Sequence, residues 1–291
     1  MTRLIRFVPV ALFVLTLTAT SAVRAETEKY VLRYRFQPGE TLRWEVVHEV
    51  QIRTAVSGTT QNAETSSRSV KAWQVGDVEL DGSATFEHLV EWVDMRQKLY
   101  GRQPIRYDSR SDEKPPAGFQ QVAASVGKPL SAVTMDALGK IVRREQKLDR
   151  PGAQNEGPMT IPLPEDPVAV GETWSFPEDI SVRMNTGAIK TIKARQSFTL
   201  ESVKTGVATV GVATRVLTPI DDPAVESQLI QRESAGSVRF DIEAGRVLSQ
   251  QMDVDKHVVG FRGQASSIHY VTRFTEKLLP SVTSVASRAS D

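Results

Sequence analysis

Between positions 41 and 53 the chain alternates with a strict period of two, and that alternation confines the fold more than any other feature. Leu42, Trp44, Val46, His48, Val50 and Ile52 share one face, while Arg43, Glu45, Glu49, Gln51 and Arg53 share the other, with Val47 the one apolar exception. Such a period describes a strand with one buried and one wet face. A run of about 13 residues is long against the usual five or six and suits a large twisted or curved sheet. Residues 84–96 repeat the pattern, with Ala84, Phe86, His88, Val90 and Trp92 facing one way and Thr85, Glu87 and Glu91 the other. Together with 67–75 and the Asp81-Gly82 turn, these segments predict a meander. Further hairpins are expected where Asp136-Ala137-Leu138-Gly139 separates 130–135 from 140–147, and where Glu243-Ala244-Gly245 separates 237–242 from 246–257. The stretch from Gly260 to Gly263 then turns the chain into 265–278. Helical periodicity is confined to short stretches near 119–126 and 223–232. The expected class is all-β and antiparallel.

The same order of signals occurs twice, which predicts an internal duplication. Gly39-Glu40-Thr41 with Trp44 parallels Gly171-Glu172-Thr173-Trp174, and Gly82-Ser83-Ala84-Thr85-Phe86 parallels Gly206-Val207-Ala208-Thr209-Val210. Val133 to Asp136, followed by Gly139-Lys140-Ile141-Val142, parallels Val238 to Asp241, followed by Gly245-Arg246-Val247-Leu248. The expected organisation is two tandem β-units, curved sheets or sandwiches, at 26–148 and 168–279. Between them, 149–167 carries five prolines and two glycines and reads as an extended linker. A frayed tail is expected at 280–291. Strands of the two halves could also pair into one composite sheet, and the sequence leaves that choice open.

Some of these stretches carry a likeness to a known family. Gly127-Lys128-Pro129-Leu130 leads into Val133-Thr134-Met135-Asp136 and Gly139-Lys140-Ile141, and residues 164–170 lead into Gly171-Glu172-Thr173-Trp174. Tyr34-Arg35-Phe36 precedes Pro38-Gly39-Glu40. The whole resembles an uncharacterised family of exported bacterial β-rich proteins, a domain of unknown function, in which Asp is commoner where Glu172 stands. The resemblance implies a β-rich fold and an exported compartment. It implies no activity and no catalytic residue.

The first 25 residues read as a secretory signal peptide, with Arg3 and Arg6 before an apolar run at 8–17 and Val23-Arg24-Ala25 as the cleavage pattern. That run is too short for a membrane span, which needs about 20 apolar residues. A soluble periplasmic or secreted product without a transmembrane segment is therefore expected. The chain has no cysteine, so its stability must come from packing and not from disulfides. Its 36 basic residues nearly balance 35 acidic ones, and three of the arginines fall in the leader. Nucleic-acid binding, which needs a clustered basic surface, is disfavoured.

His48 and His88 lie on the apolar faces of their strands and could meet to bind a metal if the register allowed. No carboxylate is evident on that face, so separately hydrogen-bonded histidines and no metal or other cofactor are expected. His257 and His269 flank the last turn without a fixed partner. Glu45, Glu49, Glu87 and Glu91 are interleaved with Arg43, Arg53 and Arg96, which predicts cross-strand ion pairs in preference to acid–base chemistry. Ser125-x-x-Lys128 with Lys204-Thr205-Gly206 imitates two elements of serine β-lactamases, but Gly127 and Pro129 end any helix beside Ser125, and the context fails. No catalytic residue is expected.

Trp44, Trp73, Phe86 and Trp92 with His48 and His88 are left as candidates to line an apolar ligand site, since a curled half-wet sheet makes a concave apolar face. The leading expectation is a non-enzymatic exported binding or interaction module. The alternatives are a structural cell-envelope protein that binds a partner chain and, less favoured, an unrecognised hydrolase.

Overall fold

The protein, seen in a computed structural model, is described at residues 28–149, 158–184 and 186–280. The expected leader, most of the expected tail and residues 150–157 of the expected linker lie outside these. The first half runs β1 (Lys29–Tyr30), β2 (Thr41–Val56), β3 (Thr59–Val78), β4 (Ala84–Leu99), β5 (Ile105–Asp108), α1 (Gln120–Ser125), β6 (Pro129–Met135) and β7 (Ile141–Gln146). The second runs β8 (Val168–Ala169), β9 (Thr173–Arg183), β10 (Ile189–Lys204), β11 (Val207–Val216), α2 (Pro223–Leu229), β12 (Ala235–Asp241), β13 (Arg246–Val259) and β14 (Ser266–Leu278). The all-β antiparallel class is the one read from the sequence, and both short helices fall where the sequence put them.

One 12-stranded sheet holds nearly everything, in the order β7-β6-β4-β3-β2-β14-β13-β12-β11-β10-β9, with β5 paired to β4. Each half is a meander, and β14 pairs with β2 from Val56↔Ser266 to Trp44↔Leu278 to join them. Of the two arrangements the sequence left open, this is the composite sheet. No described helix is long and apolar enough to cross a membrane.

The sheet is strongly curved, and ring contacts measure it. Phe86 on β4 touches Phe36 at 6.0 Å, Phe36 stacks on Tyr34 at 6.3 Å, and Tyr34 meets Phe240 on β12 edge-on at 5.4 Å. On a flat sheet five strand spacings, roughly 24 Å, would separate β4 from β12. The two halves therefore face each other across a shared core that includes Trp44, Trp73, Phe86, Phe198, Val210 and Phe240. Three smaller apolar clusters fill the other end of the concave face. Val225 and Leu229 of α2 cover Ile180 and Ile192 of β9 and β10, and Ile230 covers Val254 and Tyr270. Phe119 beside α1 covers Val93 and Tyr107.

What was expected as a linker is, in its described part, a strap packed into the core. Ile161 and Leu163 are buried. Leu163 N–H donates to Leu138 O at 2.8 Å, the Trp174 indole to Pro162 O at 2.9 Å, and the Tyr34 hydroxyl to Ile161 O at 2.9 Å. Corresponding turns of the two halves grip the chain alike. Tyr34 N–H donates to Ala137 O at 2.8 Å and Arg35 N–H to Gly245 O at 3.0 Å, so the two Asp-headed hairpins hold adjacent residues. Gly39 N–H donates to Val75 O while Val75 N–H donates to Glu40 O, and Gly171, Leu200 and Glu172 repeat both bonds.

Candidate functional site

The concave face can be followed residue by residue from the register. Leu42 pairs with Trp73, Trp44 with Lys71 and His48 with Ser67, so these share it. On β14, Leu278 and Phe274 lie opposite Trp44 and His48, and Glu276 lies on the face they share. Strand β4 keeps to the pattern through Phe86 and His88 and then breaks it. Val70 pairs with Trp92 but Lys71 with Val90, which leaves Glu91 as an extra residue. Such a bulge reverses the side-chain alternation beyond it. Trp92, expected beside His88, is thereby turned to the convex face, where its ring lies 4.1 Å under the Arg110 guanidinium. That guanidinium also holds the Asp108 carboxyl down at about 2 through charged hydrogen bonds.

Between the core and the apolar clusters at the far end lies a cavity of about 430 Å³, within the usual range for small-molecule sites. Its walls come from nearly the whole sheet: Arg144 of the edge strand β7, His88 of β4, Lys71 of β3, Phe274 of β14, Met252 of β13 and Gln196 of β10. The strap adds Met159, Thr160 and Ile161 to its lining. At the floor the Lys71 ammonium lies 2.7 Å from Glu276 Oε1, with side chains 15% and 3% exposed. Gln250 donates to the other Glu276 oxygen at 2.7 Å. The same ammonium sits 5.2 Å from the rings of both Trp44 and Trp73. Replacing a buried ion pair with apolar side chains is often neutral or stabilises by about 1–4 kcal/mol, so stability alone does not account for this one. Burial, reinforced by the charge of Glu276, raises the Tyr34 phenol far above its ordinary range, although a 2.6 Å hydrogen bond with Thr160 pulls the other way.

The residues singled out by sequence are therefore divided. His88 lines the cavity. Trp44, Trp73 and Phe86 are buried in the core beneath it. Trp44 donates to Val247 O at 3.1 Å, and Trp73 stacks on Phe86 at 4.5 Å. His48 is half-buried, bonded to Thr272 at 2.9 Å and edge-on to Phe274, and burial lowers its pKa. Through Ser67 it lines up with Met95 of β4, seven positions from His88, which separates the two histidines by roughly 20 Å along the strands. They do not meet, and no group of three or more potential metal ligands occurs among the described residues. A carboxylate does lie on this face, contrary to expectation, and Glu276 of the last strand supplies it. His257 and His269 are cross-strand partners with rings 5.7 Å apart, and His269 bonds Asp255 at 2.7 Å.

On the convex face Arg43 pairs with Glu91 at 2.8 Å and Arg68 with Glu45, as wet-face ion pairs. Ser125 closes α1, donating to Val122 O, and Thr205 and Gly206 form the β10–β11 turn with φ of +48° and +76°. Neither serves a nucleophile's geometry. Lys71, Arg144, Phe274, Met252 and Met159 were missed by sequence reasoning. The one signal available was a lysine at an inward position of 67–75, two residues before Trp73.

No protein-family model matches the sequence, and no curated protein matches it. Among solved structures the chain is similar to one described for lipid–protein interactions in lipovitellin, at 14% identity and a TM-score of 0.46. That match covers 84% of this chain, which spans 26% of the length of the lipovitellin chain. It is also similar to the translocator domain of the autotransporter NalP from Neisseria meningitidis, at 6% identity over 83% of this chain and 89% of that one, with a TM-score of 0.28. DynF from the dynemicin biosynthesis pathway of Micromonospora chersina matches at 7% identity over 88% and 86%, with a TM-score of 0.21. At these TM-scores, no property of these three proteins is carried over.

Proposed function

We propose that this protein is an exported, non-enzymatic binding module that holds an apolar ligand inside its curved sheet. One observation carries the reading: an open cavity of about 430 Å³ whose walls come from β7 round to β10 and which the strap at 158–161 helps to line. A hollow of this size, lined by Met159, Met252 and Phe274 beside a few polar groups, has the make-up of a small-molecule site. The leader-like residues 1–25 and the resemblance to exported β-rich proteins support the compartment. The repeated hydrogen bonds of Gly39-Glu40 and Gly171-Glu172 support descent of the two halves from one duplicated unit.

Native mass spectrometry of protein purified from its own envelope fraction tests the reading. A non-covalent adduct of lipid or similar size, released into organic solvent, is expected. Bare protein that takes up nothing from envelope lipid extract would refute it. A second reading, an envelope protein that binds a partner chain, is favoured by the edge of β9, which no other strand covers among the described residues and which Gln228 caps only at Arg183. In the same experiment that reading gives a second polypeptide instead of a small adduct.

A further inference from the structure

The bulge at Glu91 has a second effect, on the convex face. Strand β4 points its even-numbered residues inward as far as His88 and outward from Trp92, so Asp94 and Arg96 stand on the wet side. There Asp94 pairs with Arg68 of β3, and Arg96 lies between Ser66 of β3 and Arg106 of β5. With Val47 of β2 these residues line an open hollow of about 540 Å³ that shares no residue with the concave cavity.

Its arginines are held unequally. Arg106 donates from Nε and Nη2 to the two oxygens of Asp94 at 3.0 and 2.8 Å, and Arg68 donates from the same two nitrogens to Glu45 Oε2. Both forks are thereby oriented, and each keeps its Nη1 group without a hydrogen bond among the described residues. Arg96 is exposed and makes no ion pair or hydrogen bond among them. It stands directly opposite Arg106 in the ladder, where like charges repel, and no carboxylate holds it. A guanidinium offers five N–H donors in a plane that matches an oxyanion bidentately. All five of Arg96 are unused, and the Ser66 hydroxyl across the ladder is unbonded as well.

We propose that this convex hollow binds a phosphate group, with Arg96 as the main donor and the free Nη1 groups of Arg68 and Arg106 beside it. Glu45 and Asp94 serve as positioning residues, since each fixes the fork of one flanking arginine. A bound phosphate also relieves the repulsion between Arg96 and Arg106. The site is independent of the concave cavity, so either assignment can fail without the other.

The test is calorimetric titration of the full-length mature protein with inorganic phosphate at low chloride. One saturable site is expected, weakened about tenfold or more in Arg96→Gln, the scale of a lost charge-assisted hydrogen bond. Arg239→Gln removes an exposed arginine of β12 from the same face and is expected to leave binding unchanged. No saturable uptake of phosphate, or equal weakening in the two variants, would overturn the site. A second arm identifies the source of the phosphate by flotation with phosphatidylcholine vesicles, with and without phosphatidate. Retention that needs phosphatidate and is lost in Arg96→Gln supports the site with a lipid headgroup as its ligand. Saturable phosphate binding without retention supports it with a soluble phosphate.

Discussion

At the scale of single residues, two glycines show how closely the halves are fitted to the segment between them. Gly139 has φ of +85°, and a Cβ there would lie 2.7 Å from Tyr34 Cε2 and 2.9 Å from Ile161 O. Gly245 has φ of +63° and would place a Cβ 2.6 Å from Arg35 N. Positive φ disfavours any other residue, and here the strap and the Leu32–Phe36 segment leave no room to relax. Gly139→Ala is expected to destabilise by about 2–4 kcal/mol, against about 1 kcal/mol for Gly101→Ala. Gly101 has a similar φ of +68° but open space around it. Urea unfolding of both variants measures this, and equal losses would show that the close approach costs nothing. The inward side chains of β2 were legible because alternation needs only sequence. Trp92 was misplaced because a bulge reverses alternation with no sequence mark of its own. Lys71 and Glu276 were hidden because each looks like an ordinary charge until β2 brings their strands to either side of it.

At the scale of elements, the sequence showed a meander in the first half and hairpins in the second, but not the seam that joins them. Strand β14 lies between β13 and β2, and nothing local in 266–278 says which edge beyond β13 it will meet. Strands β9 and β10 were hard to read because much of each is exposed, so the apolar period is diluted. The strap was mistaken for a free connection because its prolines signal an absent ladder, while the burial of Ile161 and Leu163 depends on a core assembled elsewhere. Separating the halves would uncover the 16-residue edge of β2 and strip Phe198, Val210 and Phe240 from the shared core. Residues 26–148 and 168–279 expressed alone are therefore expected to aggregate, and co-expression should recover soluble complex. A cooperative melt from either fragment by itself would show that the seam is dispensable.

At the scale of the whole molecule, curvature gives a long open sheet a hollow, and among the described residues β7 and β9 end it without a further partner strand. Backbone groups there have a partner strand on one side, whereas those of β2 and β14 are flanked on both. Hydrogen exchange should accordingly be slowest in β2 and β14 and fastest in β7 and β9. Protection of β9 equal to that of β14 would mean that another chain covers the edge in solution. The seam also fixes the order of events during folding. His48 and Thr272, bonded across it, are 224 residues apart in the chain, and contacts of that separation carry the largest entropic cost of closure and form slowly. The first strand of the sheet must wait for the last. For a chain that crosses a membrane before folding, as proposed for this one, that delay keeps it threadable until its final strand has passed through.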